Sequence, residues 1–450
     1  MLMVVACASP SQNVEVDEAA TVITNANIVD VRTGDILENR HIVISDGLVS
    51  EILEDQGQTF TGNNIIDATG KFIAPGLAEM HAHIPSPQWG RDNTDETLFL
   101  YLSNGVTTIR GMLGHPTHLD LRSQAANNEI LSPRIFTSSP SINGNSVTSV
   151  EQARDVVAQY KNDGYDFLKL HPGLQLDVFD QVVATAKEVG IKYSGHVSVH
   201  VGVQHAINNK YASIDHVDGF LEGLVPESAA VDPTENGFFG YNFTDLTDMN
   251  LLDGLISSTV ENEVWVVPTQ SLFDRWFSPE DAESLAAAPE MQYMPKSTVE
   301  QWVNSKKGLV TNPDYSVEKW QRFNTIRQTL IKALQDNGYG LVLGSDAPQV
   351  FNVPGFSIHH EMQGMIDAGL SPLEVIQSGT VNAARFFEME GQFGEVAKGA
   401  SADLLLLESN PLDDLANLRN PTGVMVRGRW LDREVINKRL AEIAERAKNI

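Results

Sequence analysis

Eight short apolar runs alternate with helical segments through the middle of this 450-residue chain. An apolar run followed by a helix is typical of one unit of a parallel sheet, and eight such units favour a closed barrel. The stretch from Leu221 to Gln328 is too long for ordinary connections, so we expect extra helices over the barrel mouth. The eight runs begin at Ile73, Gly105, Arg134, Asp166, Lys192, Ala212, Glu263 and Gly340.

Both ends of the chain are rich in short predicted strands. Residues 20–75 alternate apolar and polar positions around turns such as Asp46-Gly47, and a second such patch covers residues 402–430. Neither patch can build a core alone, so we expect one small β-sandwich made from both termini.

The sequence therefore predicts an α/β fold, a (β/α)₈ TIM barrel with a β-sandwich. The predicted boundaries are a leader or tether at 1–18, the sandwich at 19–76 plus 392–431, the barrel at 77–391 and a C-terminal helix at 432–450.

The charge balance restricts the partners. Asp and Glu number 59 against 31 Lys and Arg, a formal net charge of −28. Such a surface repels phosphate backbones, so we expect a small-molecule substrate and no nucleic acid. The acidity does not identify that substrate, and an oligomer remains possible.

The single cysteine, Cys7, excludes an internal disulfide framework and a cysteine-based zinc site. The segment Val4–Cys7 resembles a bacterial lipobox, and residues 8–19 would then be a polar tether. We therefore expect a possible lipid anchor at Cys7 and a location in the bacterial cell envelope, either periplasmic or membrane-anchored. A cytoplasmic protein is the alternative.

Metal-competent side chains stand where the predicted strands end. In a barrel of this type those ends form the catalytic face. His81 and His83 follow the first run, and residues i and i+2 of an extended chain point the same way. His196, His216 and Asp346 end the fifth, sixth and eighth runs. This recurrence favours a metal centre over isolated structural histidines.

Lys169 lies inside the apolar fourth run, where burying a charge is costly. One explanation is a salt bridge at the barrel rim. The other is a lysine of lowered pKa whose amine reacts with CO₂. The resulting carbamate is chemically a carboxylate and can bridge two cations.

Together these residues resemble the amidohydrolase superfamily, of the binuclear type bridged by a carboxylated lysine. The segments Ala74–His83 and Ser378–Ala384 carry the resemblance further. The layout looks closest to the imidazolonepropionase-related and Xaa-Pro dipeptidase-like branch, whose lysine-bearing members cleave dipeptides and N-acyl amino acids. The resemblance implies two divalent metals, with zinc as the favoured ion. It implies that His81, His83 and Asp346 bind the first metal, that His196 and His216 bind the second, and that carboxylated Lys169 bridges both.

The expected activity is that of an amidohydrolase acting on non-ester C–N bonds. Two cations acidify a shared water, and the bridging hydroxide would cleave an amide bond in a dipeptide or N-acyl amino acid. Asp346 would take the proton and pass it to the leaving group. Lactone or phosphotriester hydrolysis at the same site is one alternative, and a non-catalytic binding relative is another.

Five further residues are candidates around the reacting centre. His171, two residues beyond Lys169, is a catalytic candidate that could bind substrate or stabilise the oxyanion. Arg110, at the end of the second run, could pair with a substrate carboxylate or brace an acidic residue. The remaining substrate-binding candidates are His359, His360 and Tyr241, the last within an aromatic stretch that could form a lid.

Overall fold

The computed structural model describes residues 13–15, 19–62, 64–86, 88 and 90–449. Cys7, and with it the predicted lipid anchor, lies outside the described residues. Within the predicted leader, only residues 13–15 are described as secondary structure, and they form a short strand. None of the helices in the described part of the chain has the length and apolar character that crossing a bilayer would require.

Strands occur in three groups along the chain. The first comprises β1 (Asn13–Glu15), β2 (Thr21–Val29), β3 (Ile36–Ser45), β4 (Leu48–Glu54), β5 (Thr59–Thr61), β6 (Ile65–Asp67) and β7 (Phe72–Pro75). The second comprises β8 (Leu77–Ala82), β9 (Val106–Gly111), β10 (Arg134–Ile142), β11 (Phe167–Leu170), β12 (Lys192–Gly195), β13 (Ser213–Asp215) and β14 (Trp265–Val267). The third comprises β15 (Leu404–Leu407), β16 (Gly423–Val426) and β17 (Arg429–Asp432).

Helices fill the connections. Those before β14 are α1 (Arg91–Ser103), α2 (Pro116–Ala126), α3 (Val150–Asp163), α4 (Leu176–Val189), α5 (Val203–Asn208) and α6 (Leu252–Glu261). Those after it are α7 (Gln270–Leu272), α8 (Ala282–Ala286), α9 (Lys296–Val310), α10 (Val317–Asn337), α11 (Ser357–Asp367), α12 (Pro372–Ser378), α13 (Val381–Phe386) and α14 (Arg433–Ala447). Short 3₁₀ segments lie between the helices, and the longest of those described is Phe238–Leu246. A π-helical turn is formed by Phe273–Phe277.

Strands from both termini share one sheet. Its order is β17-β16-β15-β7-β2-β3-β4, with β6 beside β2, and β15 runs antiparallel to β7. Apolar side chains from both ends of the sequence, among them Ile23, Ile73 and Leu404, form its buried core. Because β7 lies near the start of the chain and its neighbour β15 lies near the end, the sheet forms only when both ends of the chain are present.

The seven strands β8 to β14 pair in sequence order, and every pairing is parallel. The segment from Leu341 to Ala347 closes the ring, because Leu341 bridges Val266 of β14 and Ala347 bridges Ala82 of β8. The predicted barrel with a β-sandwich built from both termini is confirmed.

Two strand predictions were wrong in detail. The run at Ile73 belongs to the terminal sheet as β7, and the barrel begins at Leu77 after a single intervening residue, Gly76. A Cβ at Gly76 would lie 2.1 Å from Oγ1 of Thr107, so only glycine fits where the chain passes from one sheet to the other. The eighth run forms no continuous ladder; single backbone hydrogen bonds hold it, such as the 2.8 Å bond from Met80 N–H to the Leu343 carbonyl.

Extra helices cover one end of the barrel, as expected for the long connection after β13. Residues 222–261 form 3₁₀ turns and α6, and residues 270–337 form α7 to α10 with their turns. The C-terminal helix α14 begins at Arg433, and the side chain of its N-cap residue, Asp432, accepts a 2.8 Å hydrogen bond from Val435 N–H. This cap fixes where the last strand ends and the helix begins.

Candidate metal centre

The six predicted ligands meet at the carboxyl ends of the barrel strands. His81 lies in β8 and Lys169 in β11, whereas His196 and His216 follow β12 and β13 directly. Ligand atoms of His81, His216 and Asp346 all lie within 4.8 Å of one another, and these three side chains are buried. Such convergence of nitrogen and oxygen donors is typical of a transition-metal site.

Asp346 faces both histidines of the His-x-His pair. Its Oδ1 lies 2.7 Å from Nε2 of His83 and 3.4 Å from Nε2 of His81. Burial alone would raise the pKa of Asp346, but His81, His83 and Lys169 hold that pKa below its ordinary value. The backbone of Asp346 has a φ of 62°, a region costly for a non-glycine residue, which aims the carboxylate into the ring of ligands.

Lys169 is fully buried beside a second carboxylate, Asp215. Its Nζ lies 3.5 Å from Oδ2 of Asp215, and that oxygen lies 3.3 Å from Nδ1 of His81. Burial lowers the pKa of Lys169, which raises the fraction of neutral, nucleophilic amine. Burial opposes ionisation of Asp215, but Arg110, His81 and Lys169 keep the pKa of Asp215 well below its ordinary value.

His196 and His216 are each oriented through Nδ1. Asp218 Oδ2 lies 3.0 Å from Nδ1 of His196, and Thr269 Oγ1 lies 2.8 Å from Nδ1 of His216. The two rings are 4.5 Å apart between centroids. A partner at one ring nitrogen fixes the tautomer and leaves Nε2 free to bind a metal.

These residues fit divalent metal ions. Burial lowers the pKa of His81 to about 4 and that of His216 well below its ordinary value, so both rings are neutral, the form that binds metal. Ionised carboxylates stand beside them, and the predicted bridge, Lys169, is buried next to one of them, Asp215. The six side chains predicted as ligands, those of His81, His83, Lys169, His196, His216 and Asp346, therefore lie close together.

Replacing Thr269 tests the orientation of His216. In Thr269→Val the β-branched shape remains, but Nδ1 of His216 loses its partner. We expect metal affinity to fall by about 10- to 100-fold, the usual effect of losing such a partner. Competition with a chromogenic chelator measures it, and Thr269→Ser, which keeps the hydroxyl, serves as the control. Equal affinities in the two variants would show that this hydrogen bond does not position the ring.

A cavity of about 500 Å³ opens above these ligands. Its polar wall includes the predicted ligands other than Lys169, together with His171 and Asp218. His171 lies where the sequence predicted, with its Nδ1 2.8 Å from Ser141 Oγ and its ring 5.1 Å from that of His196. Burial, reinforced by Lys169 and His196, lowers the pKa of His171. A neutral imidazole therefore faces the cavity.

Four predicted substrate contacts lie elsewhere. Tyr241 hydrogen-bonds the Ser316 carbonyl and packs among aromatic rings behind the cavity wall. His360 Nε2 lies 2.9 Å from Oε1 of Glu290, and His359 is buried in helix α11. None of these, nor Arg110, is among the described residues that line the cavity. The structure thus places these four side chains away from the cavity wall, and their contact with substrate stays a prediction.

Arg110 is the clearest case. It is fully buried, and its guanidinium donates to the Met80 carbonyl, to Ser213 Oγ and to Asp215 Oδ1, the last at 2.9 Å. Of the two roles considered for this arginine, bracing an acidic residue is the one observed.

Removing that brace should destabilise the protein. In Arg110→Met the carboxylate of Asp215 stays buried without its strongest partner, so we expect the free energy of unfolding to fall by about 3–5 kcal/mol. Urea denaturation followed by circular dichroism measures it. As a control, Arg91→Gln breaks the exposed pair with Asp95 and should cost less than about 1 kcal/mol. Similar losses in both variants would contradict this role.

Four residues that support the metal centre were not predicted from the sequence. Glu79 accepts hydrogen bonds from the backbone N–H groups of His81 and Ser345 and from Ser345 Oγ, and burial raises its pKa to about 8. Its place two residues before His81 was a usable signal, as was the place of Asp215 directly before His216. The others, Asp218 and Thr269, approach the histidines through the fold.

Comparison with known proteins identifies the family. The profile of the amidohydrolase family matches residues 72–431. An adenine deaminase from Clostridium botulinum (strain 657 / Type Ba4) is 19% identical over 404 residues, which cover 87% of this chain and 55% of the deaminase. The chain thus spans about half the length of the curated relatives it matches.

Solved structures show the same architecture. Bottromycin amidohydrolase superposes with a TM-score of 0.73 at 21% identity, covering 95% of this chain and 91% of that one. A Xaa-Pro dipeptidase with bound methionine superposes with a TM-score of 0.63 at 19% identity, covering 92% and 100%. At these identities the likeness shows the fold alone, but the family profile extends over most of the sequence. The chain belongs to the amidohydrolase family.

Proposed function

We propose that this protein is a metal-dependent hydrolase that cleaves an amide bond in a small molecule of the dipeptide or N-acyl amino acid type. The observation that carries the proposal is the convergence of His81, His216 and Asp346 beneath a cavity large enough for such a molecule. Amide hydrolysis needs an activated water and a group that moves a proton, and the residues here provide for both.

The ligands named above would hold two divalent ions, for which zinc is our choice. Bound cations at such a site supply Lewis-acid polarisation of a carbonyl and acidify water. The protein's own part is to place neutral imidazoles and ionised carboxylates around them.

Asp346 is the residue we assign to proton transfer. Its carboxylate is ionised and lines the cavity. It would accept a proton from the attacking water and deliver it to the nitrogen of the leaving amine, as a general base and then a general acid. Glu79 accepts hydrogen bonds from the backbone N–H groups of His81 and Ser345. It therefore fixes the position of His81 relative to Asp346, the residue after Ser345.

His171 is the residue we assign to the substrate carbonyl. Its Nδ1 is engaged by Ser141, which leaves the other ring nitrogen for the cavity. Donation of a hydrogen bond from that nitrogen would stabilise the oxygen on which negative charge develops.

Metal analysis together with a substrate panel tests the proposal. Protein expressed with zinc and bicarbonate should contain two metal ions per chain by elemental analysis. It should hydrolyse members of a set of dipeptides and N-acyl amino acids. Turnover of lactones or a phosphotriester but of no amide would replace the proposed bond, and absence of metal together with absence of turnover would indicate a binding protein.

We also propose a cell-envelope location through acylation of Cys7. This rests on the lipobox-like segment Val4–Cys7 alone. Mass spectrometry of the protein expressed from its full-length gene tests it. An acylated Cys7 is expected, and an unmodified Cys7 in a membrane-free fraction would contradict it.

A further inference from the structure

Away from the predicted ligands, the described wall of the cavity is mainly apolar. Among the described residues that line it, none is a lysine or an arginine. Apart from the histidines and Asp218 and Asp346, the wall is built mainly from apolar groups, Phe238, Phe239, Leu113, Leu272, Trp276 and Val199 among them. A site that binds a carboxylate inside a cavity usually pairs it with an arginine or lysine.

The cations nearest to the centre are committed to protein groups. Lys169 and Arg110 are fully buried, and Arg110 donates three hydrogen bonds within the barrel. Arg327, also buried, donates to the carbonyls of His216 and Pro268. None of these groups is among the described residues that line the cavity. Away from the metal ions that we propose at its base, a free carboxylate would therefore have no lysine or arginine to pair with, which is costly.

A second cavity, of about 710 Å³, shares Val197 and Val199 with the first. Its described lining also lacks lysine and arginine, and it includes the carboxyl-bearing residues Glu222 and Glu227. The net charge of −28 acts in the same direction over the whole surface. The lining side chains of neither cavity therefore favour an anionic group.

The aromatic part of the wall is held in place at a conformational cost. Phe239 has φ 51° and ψ 44°, the left-handed region that a bulky residue rarely adopts, and Gly237 and Gly240 beside it also have positive φ. Its ring lies 5.8 Å from that of His196 and 5.4 Å from that of His216. Phe238 stacks on Phe277 at 4.9 Å. The backbone strain is thus tolerated where it sets an aromatic ring against two predicted ligands.

Resting on the proposed function, we propose that the part of the substrate bound in this cavity is neutral and apolar or aromatic. No ionised group of the substrate, such as the free carboxylate of an N-acyl amino acid, then lies in the cavity. Phe239 is the residue that selects an aromatic group, since its ring stands between the predicted ligands and the rest of the aromatic wall.

A matched pair of substrates tests the charge. We expect metal-loaded protein to release acyl acid from an N-acyl phenylalanine N-methylamide with a kcat/KM at least about tenfold above that for the free N-acyl phenylalanine. Gln349 also lines the cavity. In Gln349→Arg, which adds a cation to the wall, the difference should shrink by about tenfold. Gln349→Met, of similar length and neutral, should keep it. Equal or better hydrolysis of the free acid by the parent protein would overturn the inference.

A second comparison tests Phe239. Phe239→Ala should raise KM for the phenylalanine methylamide by up to about tenfold, while KM for the alanine counterpart changes little and metal content stays the same. An equal change in both would mean that Phe239 does not select.

If neither compound is hydrolysed although two metals are bound, the proposed function fails, and calorimetric binding of the same pair still tests the inference. Tighter binding of the methylamide supports it, and tighter binding of the acid overturns it.

Discussion

Lys169→Ala should lose metal and activity together. The substitution removes the buried amine that we expect to form the bridging carbamate. It also leaves Asp215, beside His81, without its second cation. We expect kcat/KM to fall by about 10³-fold or more, equivalent to at least about 4 kcal/mol of transition-state stabilisation. Metal content by elemental analysis should fall from two ions per chain in parallel.

Chemical rescue distinguishes loss of the bridge from loss of the fold. Short carboxylic acids such as acetate or propionate can occupy the space left by the side chain, and they should restore part of the metal content and turnover. Lys169→Met fills that space without a carboxylate and should not be rescued. Full activity in either variant would show that Lys169 serves the barrel as a buried cation and nothing more.

Asp346→Asn should abolish turnover with a smaller effect on metal content. The amide oxygen can still ligate, but it cannot accept and return a proton. General acid–base catalysis contributes about 10²- to 10⁴-fold, so we expect a fall in kcat of that order. A fall in kcat with little change in KM would place the loss in the transition state.

The control for Asp346 is a change that disturbs its surroundings without touching proton transfer. In Glu79→Gln the buried acid becomes an amide that can still accept hydrogen bonds from the backbone of His81 and Ser345. We expect its kcat to fall far less than that of Asp346→Asn. A kcat for Asp346→Asn close to the parent value would remove Asp346 from the mechanism.

The sequence predicted which residues meet because the geometry of a parallel barrel is regular. Carboxyl ends of all strands lie on one face, so His81, Lys169, His196, His216 and Asp346 could be placed together without knowing any side-chain contact. The terminal sheet could also be predicted, because neither of the two β-rich patches could build a core alone and they had to combine.

The sequence did not reveal the role of residues whose function depends on where the side chain points. Arg110 sits at a strand end, but whether its guanidinium faces the mouth or the barrel interior depends on packing against Asp215 and Ser213. Tyr241 was expected near the substrate, yet its hydroxyl anchors the aromatic segment to Ser316. In both cases one residue type suits two roles, and only the folded neighbours decide between them.

The pairing of β7 with β15 also has a consequence for synthesis. β7 ends two residues before the barrel's first strand, and its partner lies more than 300 residues later in the chain. While the ribosome is still making the barrel helices, one edge of β7 has no neighbour, and an open edge can pair with another chain. We expect nascent chains that stop before Leu404 to need chaperone protection, and C-terminal truncations to reduce soluble yield although they remove no residue of the metal centre.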